Sequence, residues 1–190
     1  NIERHRDIVD QLIKKDKAYR CYASQEEIKN FINRAKENKT STIFRSPWRN
    51  DNATLNKSSV VRLRSPDVGK TEITDEIKGN ISWKNETMDD LVLLRSDGTP
   101  TYMLAVVVDD HDMKVSHVIR GDDHLTNTAR QIQIYNSMNW HVPKFAHMPL
   151  INGADGSKLS KRHGAVSVTE YKTMGYPALA FNNYLARLGW

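Results

Sequence analysis

The chain has 190 residues, 38% of them hydrophobic and 8% aromatic, enough to bury a core as one or two domains and with no apolar run approaching the length of a membrane span. Its single cysteine, Cys21, excludes an internal disulfide and suits a reducing cytoplasm. The net charge of +5 is unevenly spread: residues 1–64 hold 15 Lys/Arg against 8 Asp/Glu, residues 65–127 hold 6 against 13, and residues 128–190 hold 7 against 2. Two basic blocks around an acidic one suit a protein that grips a polyanion at several points, although any single lysine of the first block is equally well explained as a solvated face. The start, Asn1-Ile2-Glu3-Arg4-His5-Arg6, is neither a signal peptide nor an initiator, and the expectation is an excised piece of a longer chain.

Residues 2–15 place Ile2, Ile8, Val9, Leu12 and Ile13 on one helical stripe. Ala18 to Tyr22 reads as a short strand, and Ser24 with Glu27 as a capping box opening a helix with Ile28, Phe31, Ile32 and Ala35 inward. Lys39 to Ser58 has no clear period and reads as loop. Val60 to Arg64 and Ile81 to Trp83 read as strands, and Leu91 to Arg95 as a hairpin arm that turns at Asp97-Gly98 to pair with Tyr102 onward. Tyr102 to Val108 is continuously apolar and predicts a buried strand, with Asp109-Asp110-His111-Asp112 as the turn after it. A further strand, Val115 to Ile119, leads into Arg120-Gly121-Asp122-Asp123-His124, and Thr128 and Gln131 at capping-box spacing predict a helix beyond. Strand, polar turn and helix in that order are how open α/β sheets place ligands at the carboxyl ends of their strands. Ser167 and Glu170 predict a capped short helix ended by Gly175, and Tyr176-Pro177 the start of a last helix with Leu179, Leu185 and Leu188 inward.

Lys158-Leu159-Ser160-Lys161-Arg162 puts three permanent cations within five residues, between Gly153 and Gly156 upstream and Gly164 downstream. A mobile backbone with that charge suits closure over a polyphosphate, while an isolated motif of this kind is more often a solvated surface run.

The surrounding residues decide between these. Asp-Gly-Thr-Pro-Thr-Tyr (97–102), Val-Val-Val-Asp-Asp (106–110), His-Val-Ile-Arg-Gly-Asp-Asp-His-Leu (117–125), Ala-Arg-Gln (129–131) and Lys-Leu-Ser-Lys-Arg-His-Gly-Ala (158–165) resemble, in order and spacing, the bacterial glutamyl-tRNA synthetases. Lys158 to Arg162 looks like that family's form of the second class I signature, KMSKS. The resemblance runs over nearly the whole chain.

It implies an α/β fold: a Rossmann-like nucleotide-binding domain interrupted by an inserted α+β acceptor-binding domain and followed by the start of a helical stem-contact region. The expected boundaries are 1–15 for a helix of the first catalytic half, 16–98 for the insertion, 99–150 for the second half, and 151–190 for the basic loop and the stem-contact start. The implied reaction activates L-glutamate with ATP and Mg2+ and transfers it to the 3′ end of tRNA(Glu), with tRNA(Gln) a possible second acceptor, in a cytoplasmic monomer away from membranes. Lys158 and Lys161 are implied in catalysis, Asp123, His124, Lys158, Leu159, Ser160, Lys161 and Arg162 in ATP binding, and Tyr102, Val106 and Arg120 in glutamate binding. A guanidinium fork at Arg120 suits a carboxylate better than an ammonium would. The chain departs from the family in two ways. Cys21 stands without the further cysteines of relatives that bind zinc in the insertion, so no structural zinc is expected. The first signature, His-x-Gly-His, is absent and in the family lies upstream, as the anticodon-binding domain lies downstream; the piece alone is expected to be inactive. Three rivals stand beside this reading: a non-catalytic RNA-binding module, a phosphohydrolase built on the Asp109 cluster, and a tRNA-modifying paralogue that activates glutamate.

Overall fold

The computed structural model describes residues 1–51, 55–152, 156, 158 and 167–187. Helix α1 (Ile2–Lys14) starts at Asn1, whose side chain accepts from the Arg4 amide, and buries His5, Ile8, Val9 and Leu12. Ile2 is 50% exposed, because the stripe reaches covering elements only from the second turn onward. Strand β1 (Ala18–Cys21) pairs antiparallel with β2 (Val60–Leu63), and β5 (Val92–Leu94) joins the other edge of β2. Helix α2 (Gln25–Glu37) has the reciprocal cap its sequence predicts: Ser24 Oγ accepts from the Glu27 amide at 3.1 Å, and the Glu27 carboxylate accepts from the Ser24 amide at 2.6 Å. Of the four residues expected inward on α2, Ala35 is buried but Phe31 is 37% exposed. The predicted loop after α2 contains a 3-10 turn, Pro47–Asn50, capped by the Ser46 hydroxyl.

The acidic middle block spends much of its charge internally. Asp90, fully buried, takes the Tyr19 hydroxyl at 2.7 Å, the Ser65 amide at 3.1 Å and the Arg45 guanidinium, while Arg49 pairs with Asp67 at 2.7 Å. Several arginines of the first basic block are therefore structural, and Lys14, Lys15, Lys17, Arg20, Lys29 and Lys36 remain exposed.

Strand β3 (Lys70–Asp75), not evident in the sequence, forms a hairpin with β4 (Gly79–Lys84). It has no apolar alternation because the face it buries is polar: Thr71 and Asp75 point inward, four residues apart. Thr71 Oγ1 donates to Asn85 Oδ1 at 2.7 Å and accepts from Gln133 Nε2 at 3.2 Å, while Asp75 meets His147.

The largest correction concerns Tyr102 to Val108. This run opens helix α3 (Tyr102–Asp112), which buries Leu104, Val107 and Val108. A short apolar run does not separate a buried strand from a buried helix, and here the covered positions fall at i, i+3 and i+4. The turn at Asp97-Gly98 does form, with Gly98 at φ +77° and Thr99 donating to Asp97, but its second arm ends in a bridge between Leu94 and Pro100. Asp109 and Asp112 consequently lie on the last helical turn, where they hold His5 at 2.8 Å and Arg4 at 2.8 Å and fasten α3 to α1.

Strand β6 (His117–Gly121) and β7 (Lys144–Met148), the latter also unanticipated, are parallel and in register from His117 opposite Lys144 to Gly121 opposite Met148. A 3-10 turn, Asp122–His124, and helix α4 (Leu125–Met138) complete the βαβ crossover. Thr128 and Gln131 are not its cap; they are buried on its inner face. One apolar core, built on Leu12, Leu63, Leu93, Leu104, Val108 and Ile134, joins α1, the three-stranded sheet, α3 and α4. At the C-terminal end, α5 (Val168–Thr173) and α6 (Ala178–Arg187) meet through Tyr171 and Phe181, with ring centroids 4.7 Å apart. Leu179 and Leu185, expected inward, are 84% and 44% exposed; Leu188 lies outside the described residues. Among the described residues no helix is long and apolar enough to cross a membrane.

Burial alone pushes the Asp75 carboxyl up, but hydrogen bonds from the Lys78 amide, the His147 ring, and the Ile77 and His147 amides together bring it down to about 2 from 3.8. A depressed carboxyl contributes stability that is complete above its unfolded pKa and is lost as pH falls through the folded one. Acid titration followed by circular dichroism should therefore show about 2 kcal/mol of stability lost between pH ~4 and ~2. Asp75→Asn should flatten that part of the profile; an unchanged profile would mean that Asp75 is not ionised in the fold.

Candidate active site at the carboxyl ends of the parallel strands

β6 and β7 end side by side at Gly121 and Met148, the edge where open α/β sheets bind ligands. Arg120, the penultimate residue of β6, turns its side chain toward α4 and β7 rather than into water. Its Nη2 donates to Thr128 Oγ1 and to Gln131 Oε1, each at 2.7 Å, and its Nε to His147 Nε2 at 3.3 Å. The guanidinium lies over the Phe145 ring, 5.4 Å from its centroid. Burial lowers its pKa, while Tyr102 and Asp110 favour its charge. Among the described residues no carboxylate forms an ion pair with it. A half-buried, permanently charged fork with neutral partners is poised for an anion.

Two of the other expected pocket residues lie on one face of α3. Tyr102 and Val106 are one turn apart, so the helix brings them onto one side as a strand would have done by alternation over four residues. Tyr102 is 54% exposed and lies near enough to Arg120 to stabilise its charge, whereas Val106 is half-buried and packs against the main core.

The turn after β6 carries the polar groups that face the basic loop. Asp122 accepts from Lys78 Nζ at 2.9 Å, and the Asp123 carboxylate is ion-paired with Lys158 Nζ. That hydrogen bond from Lys158 is the main cause of a lowered Asp123 pKa. A backbone β-bridge also joins Lys158 to Asn152. The ammonium of Lys158 is thus held beside the carboxyl end of β6, against the Asp123 carboxylate. His124 closes the turn, its Nδ1 facing the Asn127 amide at 3.2 Å and its carbonyl accepting from Thr128 at 3.3 Å. Leu159, Ser160, Lys161 and Arg162 lie outside the described residues. No group of three or more metal-ligating side chains occurs among the described residues.

Sequence reasoning missed His147, fully buried between Asp75 and Arg120, and gave Thr128 and Gln131 the wrong role. The available signal was parity: Phe145 and His147, two apart on β7, share the inward face.

The chain resembles proteins of known activity over its full extent. A family model described as tRNA synthetases class I (E and Q), catalytic domain, matches residues 1–190. Glutamate--tRNA ligase 1 of Cereibacter sphaeroides is 56% identical over 190 residues, 99% of this chain and 40% of its own length. Glutamate--tRNA ligase 2 of Paracoccus denitrificans is 58% identical over 190 residues, 99% of this chain and 41% of its own. The chain thus spans about two fifths of the length of these relatives. A crystal structure of a glutamate tRNA ligase from Elizabethkingia meningosepticum in complex with its amino acid superposes with a TM-score of 0.73 at 31% identity, covering 93% of this chain and 38% of that one.

Gly121 has ordinary backbone angles, but a methyl group there would lie 2.7 Å from Asp123 Oδ1 and 3.0 Å from Leu150 Cδ2. Gly121→Ala should displace the Asp123 carboxylate from Lys158, cost about 1–3 kcal/mol in urea unfolding, and raise the labelling of Lys158 by an amine reagent. Labelling at the wild-type rate would show that the ion pair does not depend on close approach at Gly121.

Proposed function

The chain belongs to the family of class I tRNA synthetases for E and Q, and from that premise we propose that the protein carrying it couples L-glutamate to ATP as glutamyl-adenylate and transfers the glutamyl group to the 3′ end of tRNA(Glu). The observation that carries this reading is Arg120: a half-buried guanidinium at the strand ends with no carboxylate ion pair among the described residues, beside Tyr102. Glutamate and glutamine share a shape, and only a site that requires the side-chain charge separates them; a partly desolvated cation supplies that requirement. Tyr102 and Val106 complete the amino-acid pocket in this reading.

The α-carboxylate of glutamate attacks the α-phosphorus of MgATP, an acyl–phosphate bond forms and pyrophosphate leaves. Because anions approach one another and charge builds on the phosphate oxygens, cations and N–H donors must be aimed at the transition state. Lys161 is the leading candidate, with Lys158 beside it once Asp123 yields it to phosphate. Asp123, His124, Leu159, Ser160 and Arg162 surround the nucleotide. The 2′- or 3′-hydroxyl of the terminal ribose then attacks the carbonyl carbon and AMP leaves. Residues 16–98 serve as the insertion that holds the acceptor end, where Lys17 and Arg20 offer exposed charge, and residues 151–190 begin the stem contact. The working unit is a cytoplasmic monomer that uses tRNA(Glu), with tRNA(Gln) as a second acceptor to assay. The relatives' names favour this ligase over a tRNA-modifying paralogue.

In the full-length protein, Arg120→Ala should cost about 3 kcal/mol of kcat/KM for glutamate and much less for glutamine, measured by steady-state tRNA charging; an equal penalty for both would remove Arg120 from side-chain recognition. Lys161→Ala should lower the rate of adenylate formation by about 2–4 kcal/mol with a smaller change in glutamate KM. An unchanged single-turnover rate would make Lys161 a surface lysine.

A further inference from the structure

A line of buried hydrogen bonds runs from the β3–β4 hairpin to the guanidinium of Arg120. It begins at Asp75, whose Oδ1 accepts the amides of Ile77 at 3.0 Å, Lys78 at 3.0 Å and His147 at 3.2 Å, and whose Oδ2 lies 2.6 Å from His147 Nδ1. Both side chains are fully buried. A carboxylate so supplied with donors is ionised, and its imidazole partner donates from Nδ1. That choice fixes the tautomer, leaving Nε2 as an acceptor. Nε2 faces Arg120 Nε at 3.3 Å and Thr128 Oγ1 at 2.9 Å. Arg120 can only donate, so a proton on Nε2 would oppose the N–H of a cation. Thr128 Oγ1 accepts from Arg120 Nη2 and so can give its own proton to Nε2 or to the His124 carbonyl. Gln131 Oε1 takes a second Nη2 bond. The guanidinium is thereby gripped along its Nε and Nη2 groups, which sets the plane of the fork.

We propose that Asp75 and His147 are positioning residues for amino-acid selection: the hairpin carboxylate sets the imidazole tautomer, and the imidazole holds Arg120 at the angle at which it meets the side-chain carboxylate of glutamate. This rests on the reading of Arg120 given above. The inserted hairpin is then part of the amino-acid pocket at one remove, reaching the guanidinium through His147.

Asp75→Asn tests the tautomer directly. Its carbonyl oxygen must stay on the three amides, so its NH2 faces Nδ1, and the ring proton is driven to Nε2, against Arg120. His147→Gln places an amide oxygen where Nε2 stood and accepts from Arg120 whatever residue 75 is. Charging of tRNA(Glu) by the full-length protein should be measured below the unfolding onset of each variant. Asp75→Asn should raise glutamate KM about tenfold while ATP KM moves less than about twofold. Adding His147→Gln should recover most of that loss, and Asp75→Asn should add nothing once Arg120 is alanine. If Arg120→Ala raises glutamate KM but Asp75→Asn does not, the positioning role is overturned and the reading of Arg120 stands. If Arg120→Ala leaves glutamate KM and the preference over glutamine unchanged, that reading falls and the inference with it. Parallel rises in glutamate and ATP KM, without recovery by His147→Gln, would reduce Asp75 and His147 to a fold clamp.

Discussion

The polar seam between the β3–β4 hairpin and the βαβ unit is the constraint on which the site depends. A hairpin that buries Thr71 and Asp75 instead of apolar side chains gains little from the hydrophobic effect on that face, so its docking relies on each buried polar group finding a partner. Asp75 finds His147 and three amides; Thr71 finds Asn85 and Gln133. Such a seam is directional. Apolar packing tolerates sliding, whereas a carboxylate that must meet an imidazole nitrogen at 2.6 Å fixes where the hairpin sits on β7. Lys78 with Asp122, and Lys144 with Glu76, add exposed pairs at its rim, worth little in stability but consistent with the same register.

Within the β1–β2–β5 sheet and its flanking turns, charge does similar work with opposite composition. Asp90 is a buried anion surrounded by the Tyr19 hydroxyl, the Ser65 amide and Arg45, and burial beside that carboxylate drives the Tyr19 hydroxyl pKa far up. Removing any one donor would leave the rest of a buried charge to be satisfied, so the cluster behaves as a unit. The net positive charge of the first block is therefore smaller at its surface than a count of its residues suggests, and its exposed lysines lie chiefly at the C-terminal end of α1 and along α2.

Lys158 and Asp123 show how the site balances its charges. Their ion pair is partly exposed, so it is weak in water and readily exchanged. Arg120 differs because its partners are neutral and buried. It is held in place by them without being paired to a carboxylate among the described residues.

Local grammar was legible in the sequence by itself: the stripe of α1, the Ser24–Glu27 cap, strands β1, β2 and β4, the turn at Gly98, and the order of motifs that places Arg120 at a strand end. These rest on neighbours within a few residues, where spacing alone determines which side chains can meet. Tyr102 to Val108 escaped because seven apolar residues read alike in a strand and in a helix, and only packing against α1 and α4 selects the helix. Strand β3 escaped because its inward residues are polar and take partners from Asn85, α4 and β7 as well as from the turn that follows it. The role of His147 was invisible for the same reason: 72 residues separate it from Asp75 and 27 from Arg120, and no local pattern records a hydrogen bond that exists only after the hairpin and the parallel strands have docked. The sequence determined which residue types reach the site; tertiary structure decided which of them hold the others, because buried polar groups are oriented by partners that folding alone brings within reach.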